Sequence, residues 1–202
     1  MHPKKLMNMI VTRNAAVFDT FIDFPKPMII GINGPAIGAS VTSATLADAI
    51  IASDKSTFST PFERLGIAPE GCSSVHFEYL MGADYARKML HENWVPTGQE
   101  AKEIGLVTDT VPHDQLDATL QKLGEEWIAE ERHLKPRSAR GYADLAHLKE
   151  VNHKESVLLA ESFLSSKFLN NQRDFLKSKG KQGPAMVFSF LSATRPIWSK
   201  LL

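Results

Sequence analysis

Cysteine is almost missing from this chain of 202 residues: Cys72 stands alone. One thiol excludes an internal disulfide framework and a zinc site built on several cysteines, and it suits a reducing compartment. Net charge is missing too, since Lys+Arg and Asp+Glu both number 23. That excludes a nucleic-acid binder working through a strongly basic surface and leaves no bulk attraction to anionic membranes. No apolar run reaches the length of a bilayer span. Neither GxGxxG nor GxxxxGK[ST] occurs, so the nucleotide-phosphate loops are absent. The seven histidines (His2, His76, His91, His113, His133, His147, His153) show no HExxH or similar spacing, and no metal site is expected. Ser40 and Ser73 lack the setting of a nucleophile elbow. Internal repeats, low-complexity tracts and interdomain linkers are also lacking.

What is present is ordinary for a globular chain: 43% hydrophobic and 23% charged residues, enough for one large domain or one domain with a short appendage. The first 18 residues are basic and free of acids before Asp19. Asn8 and Thr12-Arg13-Asn14 break them, so they make a poor secretory signal and only a weak mitochondrial leader. Leu6, Ile10, Val17, Phe18 and Phe21 fall near one helical face, which favours an amphipathic helix from about residue 4 to Ile22.

Phe24-Pro25-Lys26-Pro27 stops that helix. Met28–Ile32 and Ala49–Ala52 read as buried strands, Thr57–Thr60 as a third, and Leu106–Val111 as an alternating one. Helices are expected from Gly38 to Leu46, Cys72 to Leu80 and Ala83 to Asn93. Residues 61–71 read as loop. Thr97 with Glu100 has capping-box form and opens a helix over Gln99–Ile104, closed by Gly105. Asp114 is the expected N-cap of a helix carrying Leu116, Leu120, Leu123 and Trp127. Further helices are expected over Ser138–Glu150, Glu155–Leu169, Gln172–Lys179 and Ala185–Ser192. Strands first and helices later make an α/β domain with a C-terminal helical layer.

Two segments carry candidate chemistry. In Asn33-Gly34-Pro35-Ala36-Ile37-Gly38-Ala39-Ser40 a strand enters a tight turn and then a helix N-terminus. Free amides there can hold an anion or a developing oxyanion. Taken alone, the favoured reading is a tight connection without a ligand. In Pro69-Glu70-Gly71-Cys72, Glu70 is a lone carboxylate among apolar neighbours. An apolar pocket would raise its pKa toward neutrality and make it a base. Taken alone, it reads first as a Glu stabilising the next helix. Cys72 at a helix start has no evident His or Asn partner and reads as a core thiol.

Together these segments resemble the crotonase (enoyl-CoA hydratase/isomerase) superfamily. The match runs through Phe21–Pro27, Asn33–Thr42, Ala49–Asp54, Thr60-Pro61-Phe62, Leu65-Gly66 and Pro69–Ser74, then Thr97–Ala101 with Gly105-Leu106-Val107. Within the superfamily the chain looks most similar to peroxisomal Δ3,Δ2-enoyl-CoA isomerases, and the chromodomain-Y-like proteins share a similar domain. The likeness is good over about residues 15–125 and loose in the C-terminal helices. It implies a crotonase-like ββα spiral core, N-terminally truncated, over residues 1–125, with a helical region of the same domain over 126–202.

The resemblance also implies roles. The Ala39 N–H becomes one of two backbone donors to a thioester oxygen, and Glu70 becomes the acid/base. Gly38, Pro35, Ala36, Phe62, Phe190 and Lys200 become substrate-binding candidates. Hydratases of the superfamily use two glutamates, at positions that here hold Thr42 and Phe62, with Glu63 pointing elsewhere. The implied reaction is therefore isomerisation of a 3-enoyl-CoA. The alternatives are a non-catalytic acyl-CoA-binding or assembly module and, less favoured, a hydratase. The implied partner is an acyl-CoA thioester, with no nucleic acid, no membrane span and no cofactor beyond the coenzyme A of the substrate. A homo-trimer or hexamer is also implied. The family's first oxyanion donor lies on an earlier Ser-Gly-x-Asp-type turn that has no counterpart here. A fragment or short isoform, an upstream start, or a second chain supplying that part would each account for it. Ser199-Lys200-Leu201, followed by Leu202, favours a peroxisomal address, with mitochondria as the alternative.

Overall fold

Helix α1 (Pro3–Ile22) begins with proline at its first turn, where a missing N–H costs nothing, and ends before the prolines at 25 and 27. The computed structural model describes residues 2–202. Three strands form one sheet: β1 (Ile29–Ile32), β3 (Ala49–Ser53) and β5 (Asp109–Val111), in the order β1-β3-β5. β2 (Pro35–Ile37) and β4 (Thr57–Ser59) form a second, two-stranded sheet. All three pairings are parallel, with Ile30 opposite Ile50, Ala36 opposite Phe58, and Ile51 opposite Asp109. A parallel strand covered on both faces must be apolar throughout, and all five residues of β3 are buried.

Short helices link the strands: α2 (Ala39–Thr45), α3 (Phe62–Leu65), α4 (Ser73–Met81), α5 (Ala83–His91) and α6 (Gly98–Glu103). The capping box at Thr97 and Glu100 forms as the spacing predicts. Four longer helices follow: α7 (Leu116–Ala129), α8 (Leu145–Phe163), α9 (Ser166–Ser178) and α10 (Gln182–Trp198). Among the described residues no helix is long and apolar enough to cross a membrane.

Two apolar cores result. One gathers Ala36, Ile50, Phe58, Phe62, Phe77, Met89 and Leu106 around the sheets. The other lies between α1 and α8 and holds Phe18, Ile22, Leu46, Cys72, Leu148 and Val151. The segment from α3 to α4, which carries Glu70, passes from the first core to the second.

Several sequence expectations need correction. Residues 62–65 form a helical turn instead of loop, and β5 is shorter than the alternating run suggested. Asp114 does not cap α7. It lies inside a 3₁₀ turn, His113–Gln115, that leads into the helix. The expected helix over 138–150 starts only at Leu145, where the Asp144 carboxylate accepts the His147 N–H (2.9 Å). Residues 137–142 are pinned instead by long-range bonds. The Arg137 guanidinium, with its side chain 5% exposed, pairs with Asp48 (3.0 Å). It also donates to the carbonyls of Phe21, Ile22 and Leu46, capping the C-terminal end of α1. Arg140 donates to Leu106 O and Gly105 O, and His76 Nε2 lies 3.1 Å from Ala139 O. The expected break between residues 150 and 155 does not exist, because Val151, Asn152 and Glu155 all face inward and α8 runs through.

Candidate active site

The glycine turn is built where the two-stranded sheet meets a helix. β2 brings Ala36 into the core and leaves Ile37 exposed. Gly38 then takes φ +58 and ψ −121, a conformation only glycine adopts without strain. Its N–H donates to Ser59 O (2.8 Å), fixing the turn to β4. The Ser40 hydroxyl accepts the Ile37 N–H (2.8 Å) and donates back to Ile37 O (2.9 Å). The N–H groups of Val41 and Thr42 both return to Gly38 O. Ala39 is exposed, and its N–H, at the first position of α2, meets no acceptor among the described residues.

The second element is the turn 69–72. Gly71 (φ +67) and Cys72 (φ +66) are both left-handed. A Cβ on Gly71 would lie 2.5 Å from Phe18 Cε1 and 2.8 Å from Thr42 Oγ1. The turn is therefore wedged between α1 and α2, one helical turn from Ala39. Glu70 is half-buried, and its carbonyl accepts the Ser73 N–H and hydroxyl. Burial, and then the negative charge of Glu155, push its carboxyl up to about 7.

Glu155 is the residue beside Glu70 that sequence reasoning missed. It reaches from α8 and is 3% exposed, with Oε2 accepting the Cys72 N–H (2.7 Å) and Oε1 the Ser74 N–H (2.8 Å). These amides open α4, so the carboxylate caps that helix. Burial raises its pKa, while the bonds from Ser74 and Cys72 work the other way. The signal was a polar residue on the inward stripe Leu148, Val151, Glu155, Leu159, hidden by the expected break before residue 155. The Cys72 thiol is buried, pushed up by burial and then by Glu155, and donates to Leu148 O (3.1 Å), so it behaves as a core thiol.

The other candidates divide by place. Pro35, Ala36, Gly38 and Ala39 share one turn. Phe62, 2% exposed, packs in the same core as Ala36. Thr42 is buried, and Glu63 turns away to pair with Lys167 of α9 (2.6 Å). A cavity of about 520 Å³ opens beside the glycine turn, between Ile37, Pro61, Arg64 and Leu65 on one side and Asn171 and Phe175 of α9 on the other. Glu70 does not line it. Phe190 lines a different, apolar cavity with Leu6 and Trp198, and Lys200 is exposed in the 3₁₀ turn Ser199–Leu201 after α10. Within this chain neither joins the glycine turn. Among the described residues, no three His, Cys, Asp or Glu side chains are grouped to hold a metal ion.

Comparison with known proteins bears on this geometry. A family model described as Enoyl-CoA hydratase/isomerase matches residues 8–178. Enoyl-CoA delta isomerase 2 of Rattus norvegicus is 39% identical over 171 residues, covering 81% of this chain and 42% of that protein. "Enoyl-CoA delta isomerase 3, peroxisomal" of Mus musculus is 36% identical over 169 residues, covering 80% of this chain and 51% of that protein. The chain thus spans about half the length of these curated relatives. The crystal structure of an enoyl-CoA hydratase/isomerase from Pseudoalteromonas atlantica T6c superposes with TM-score 0.74 at 26% identity, covering 80% of this chain and 66% of that one.

Proposed function

This chain belongs to the enoyl-CoA hydratase/isomerase family, and on that premise we propose that it moves the double bond of a 3-enoyl-CoA to the trans-2 position, with Glu70 carrying the proton. Ionised Glu70 takes a proton from C2. The electron pair of that C–H bond spreads into a dienolate, whose thioester oxygen is met by the Ala39 N–H. The same carboxyl, now an acid, returns the proton at C4, and the new double bond lies between C2 and C3. Atoms balance, and no cofactor beyond the substrate's coenzyme A is needed. An oxyanion donor of this kind is worth roughly 3–4 kcal/mol of transition-state stabilisation.

The observation that carries the proposal is the placing of Glu70: it is half-buried, no cation among the described residues pairs with it, and the adjoining Gly71 packs against Thr42 of α2; burial, and then Glu155, push its carboxyl up to about 7. A group that must both take and return a proton works best with a pKa near the working pH. The side chains at Thr42 and Phe62 support isomerisation over hydration, because neither can transfer the protons that adding water requires. We place the acyl-CoA against Pro35, Ala36, Gly38 and Phe62. Phe190 and Lys200 would act across a subunit contact in a trimer or hexamer. Peroxisomal residence is proposed from the name of the mouse relative, since Leu202 follows Ser199-Lys200-Leu201 and a terminal address is read at the last residue.

The second reading is acyl-CoA binding without turnover. It is favoured by one observation: Glu70 does not line the cavity that opens beside the glycine turn. A spectrophotometric assay of the 202-residue chain on a 3-enoyl-CoA separates the two. Turnover well above background, abolished in Glu70→Gln with acyl-CoA binding kept, is the expected result. Turnover retained in Glu70→Gln removes Glu70 from the reaction, and binding without turnover in the wild type establishes the second reading.

A further inference from the structure

We propose that Glu155 is a positioning residue for Glu70: by accepting the Cys72 and Ser74 N–H groups it holds the turn 70–72 in its left-handed bend and fixes a negative charge beside the Glu70 carboxyl. The inference rests on the reading of Glu70 as proton carrier and adds a residue that raises its proton affinity beyond what burial does.

The geometry is specific. Two successive residues, Gly71 and Cys72, have positive φ. A non-glycine residue held there stores strain and persists only where its surroundings over-determine it. For Cys72 those surroundings are two bonds to α8: its N–H to Glu155 Oε2 at 2.7 Å and its thiol to Leu148 O at 3.1 Å. The second Glu155 oxygen takes the Ser74 N–H at 2.8 Å, so the carboxylate straddles the first turn of α4. Each Glu155 oxygen thus has a backbone donor, while the half-buried Glu70 has no comparable set. Two carboxyls in one desolvated place do not both ionise easily. Burial raises both pKa values, and the donors to Glu155 offset part of that, so Glu155 gives up its proton before Glu70 does.

Other groups facing this place are few. From α1, Asp19 adds negative charge that acts on the Cys72 thiol, and it accepts Asn152 Nδ2 (2.9 Å). From α4 come the Cys72 thiol and His76, whose Nε2 turns to Ala139 O. From α8, Asn152 spends its amide donors on Asp19 and Ala15 O. No cation among the described residues pairs with Glu155 or Glu70.

The test uses the full chain and two readouts. Carboxyl-¹³C-glutamate NMR follows the midpoint of Glu70 in wild type and in Glu155→Gln, and the pH dependence of kcat on a 3-enoyl-CoA is measured beside it. Glu155→Gln is expected to lower the Glu70 midpoint by at least roughly half a pH unit, to move the acidic limb of kcat by the same amount, and to leave KM within about twofold. Cys72→Ala, which keeps the amide bond to Glu155, is expected to leave the limb in place. A Glu70 midpoint unmoved in Glu155→Gln overturns the inference. If that variant does not fold, the wild-type spectra decide: the Glu155 signal is expected to shift as Glu70 titrates, and a Glu155 signal flat through that midpoint overturns it. If Glu70→Gln retains turnover, the proton-carrier reading falls, while the NMR comparison still decides the coupling.

Discussion

Substitution of Gly71 by alanine probes the packing that brings the two candidate elements together. The new methyl would sit 2.5 Å from Phe18 Cε1 and 2.8 Å from Thr42 Oγ1. Phe18 is 1% exposed and Thr42 fully buried, so neither can swing into solvent. The φ of +67 adds about 1 kcal/mol for a residue with a Cβ, and overpacking adds roughly 1–3 kcal/mol. A loss of about 2–4 kcal/mol is expected, read as a lower urea midpoint with an unchanged slope. Gly38→Ala is the matched control. Gly38 also has positive φ, yet nothing lies within 4 Å of its added methyl, so it carries backbone strain without collision. Shortening the colliding ring should therefore rescue one variant and not the other. Phe18→Leu combined with Gly71→Ala is expected to fall short of additivity by about 1 kcal/mol or more, whereas Phe18→Leu combined with Gly38→Ala should be additive. Gly71→Ala within about 0.5 kcal/mol of wild type would refute the wedging of this turn between α1 and α2.

Two further outcomes concern charge. Arg137→Met leaves Asp48 without its cation and strips donors from the carbonyls of Phe21, Ile22 and Leu46; a loss of about 3 kcal/mol is expected in urea unfolding, eased when Asp48→Asn is added. Glu70→Gln should change how stability depends on pH. The folded chain holds the Glu70 proton up to about 7, above the ordinary carboxylate value of 4.5, so this group's contribution is complete below that value and is lost as pH rises through about 7. A shift of that size is about 3 kcal/mol at most, and partial exposure brings it to about 1–2 kcal/mol. The variant should therefore gain about that much on wild type between acid and mildly alkaline pH, as read from urea midpoints across the range.

The sequence made these elements legible to different degrees. Strands β1 and β3 were visible because a covered parallel strand is a short apolar run with turn residues at its ends. The Thr97 capping box was visible because both partners lie within one turn of helix. Gly38 came in through the family resemblance, and its backbone conformation, which only glycine takes without strain, accounts for glycine at that place. What could not be read locally was decided by distant partners. Residues 138–142 read as the start of a helix, yet Arg140, and Arg137 just before it, spend their donors on carbonyls that lie dozens of residues away in the chain. Glu155 stood only as the first residue of an expected helix, and the packing of α8 against the 70–74 segment gives it two amides to accept. β2 was hidden by Pro35, which a short strand tolerates at its first residue. Glu70 itself was visible as a carboxylate in an apolar loop, but its proton affinity depends on Glu155, which no local pattern could supply.

The most direct test of the whole account is the protonation midpoint of the Glu70 carboxyl in the wild-type chain, followed by carboxyl-¹³C NMR with Glu70→Gln identifying the signal. A midpoint near 7 is the expected result, that of a carboxyl able to take and return a proton at neutral pH. A midpoint at the ordinary glutamate value of 4.5 would contradict it, because a carboxyl that releases its proton so readily is neither desolvated nor held against a second buried charge.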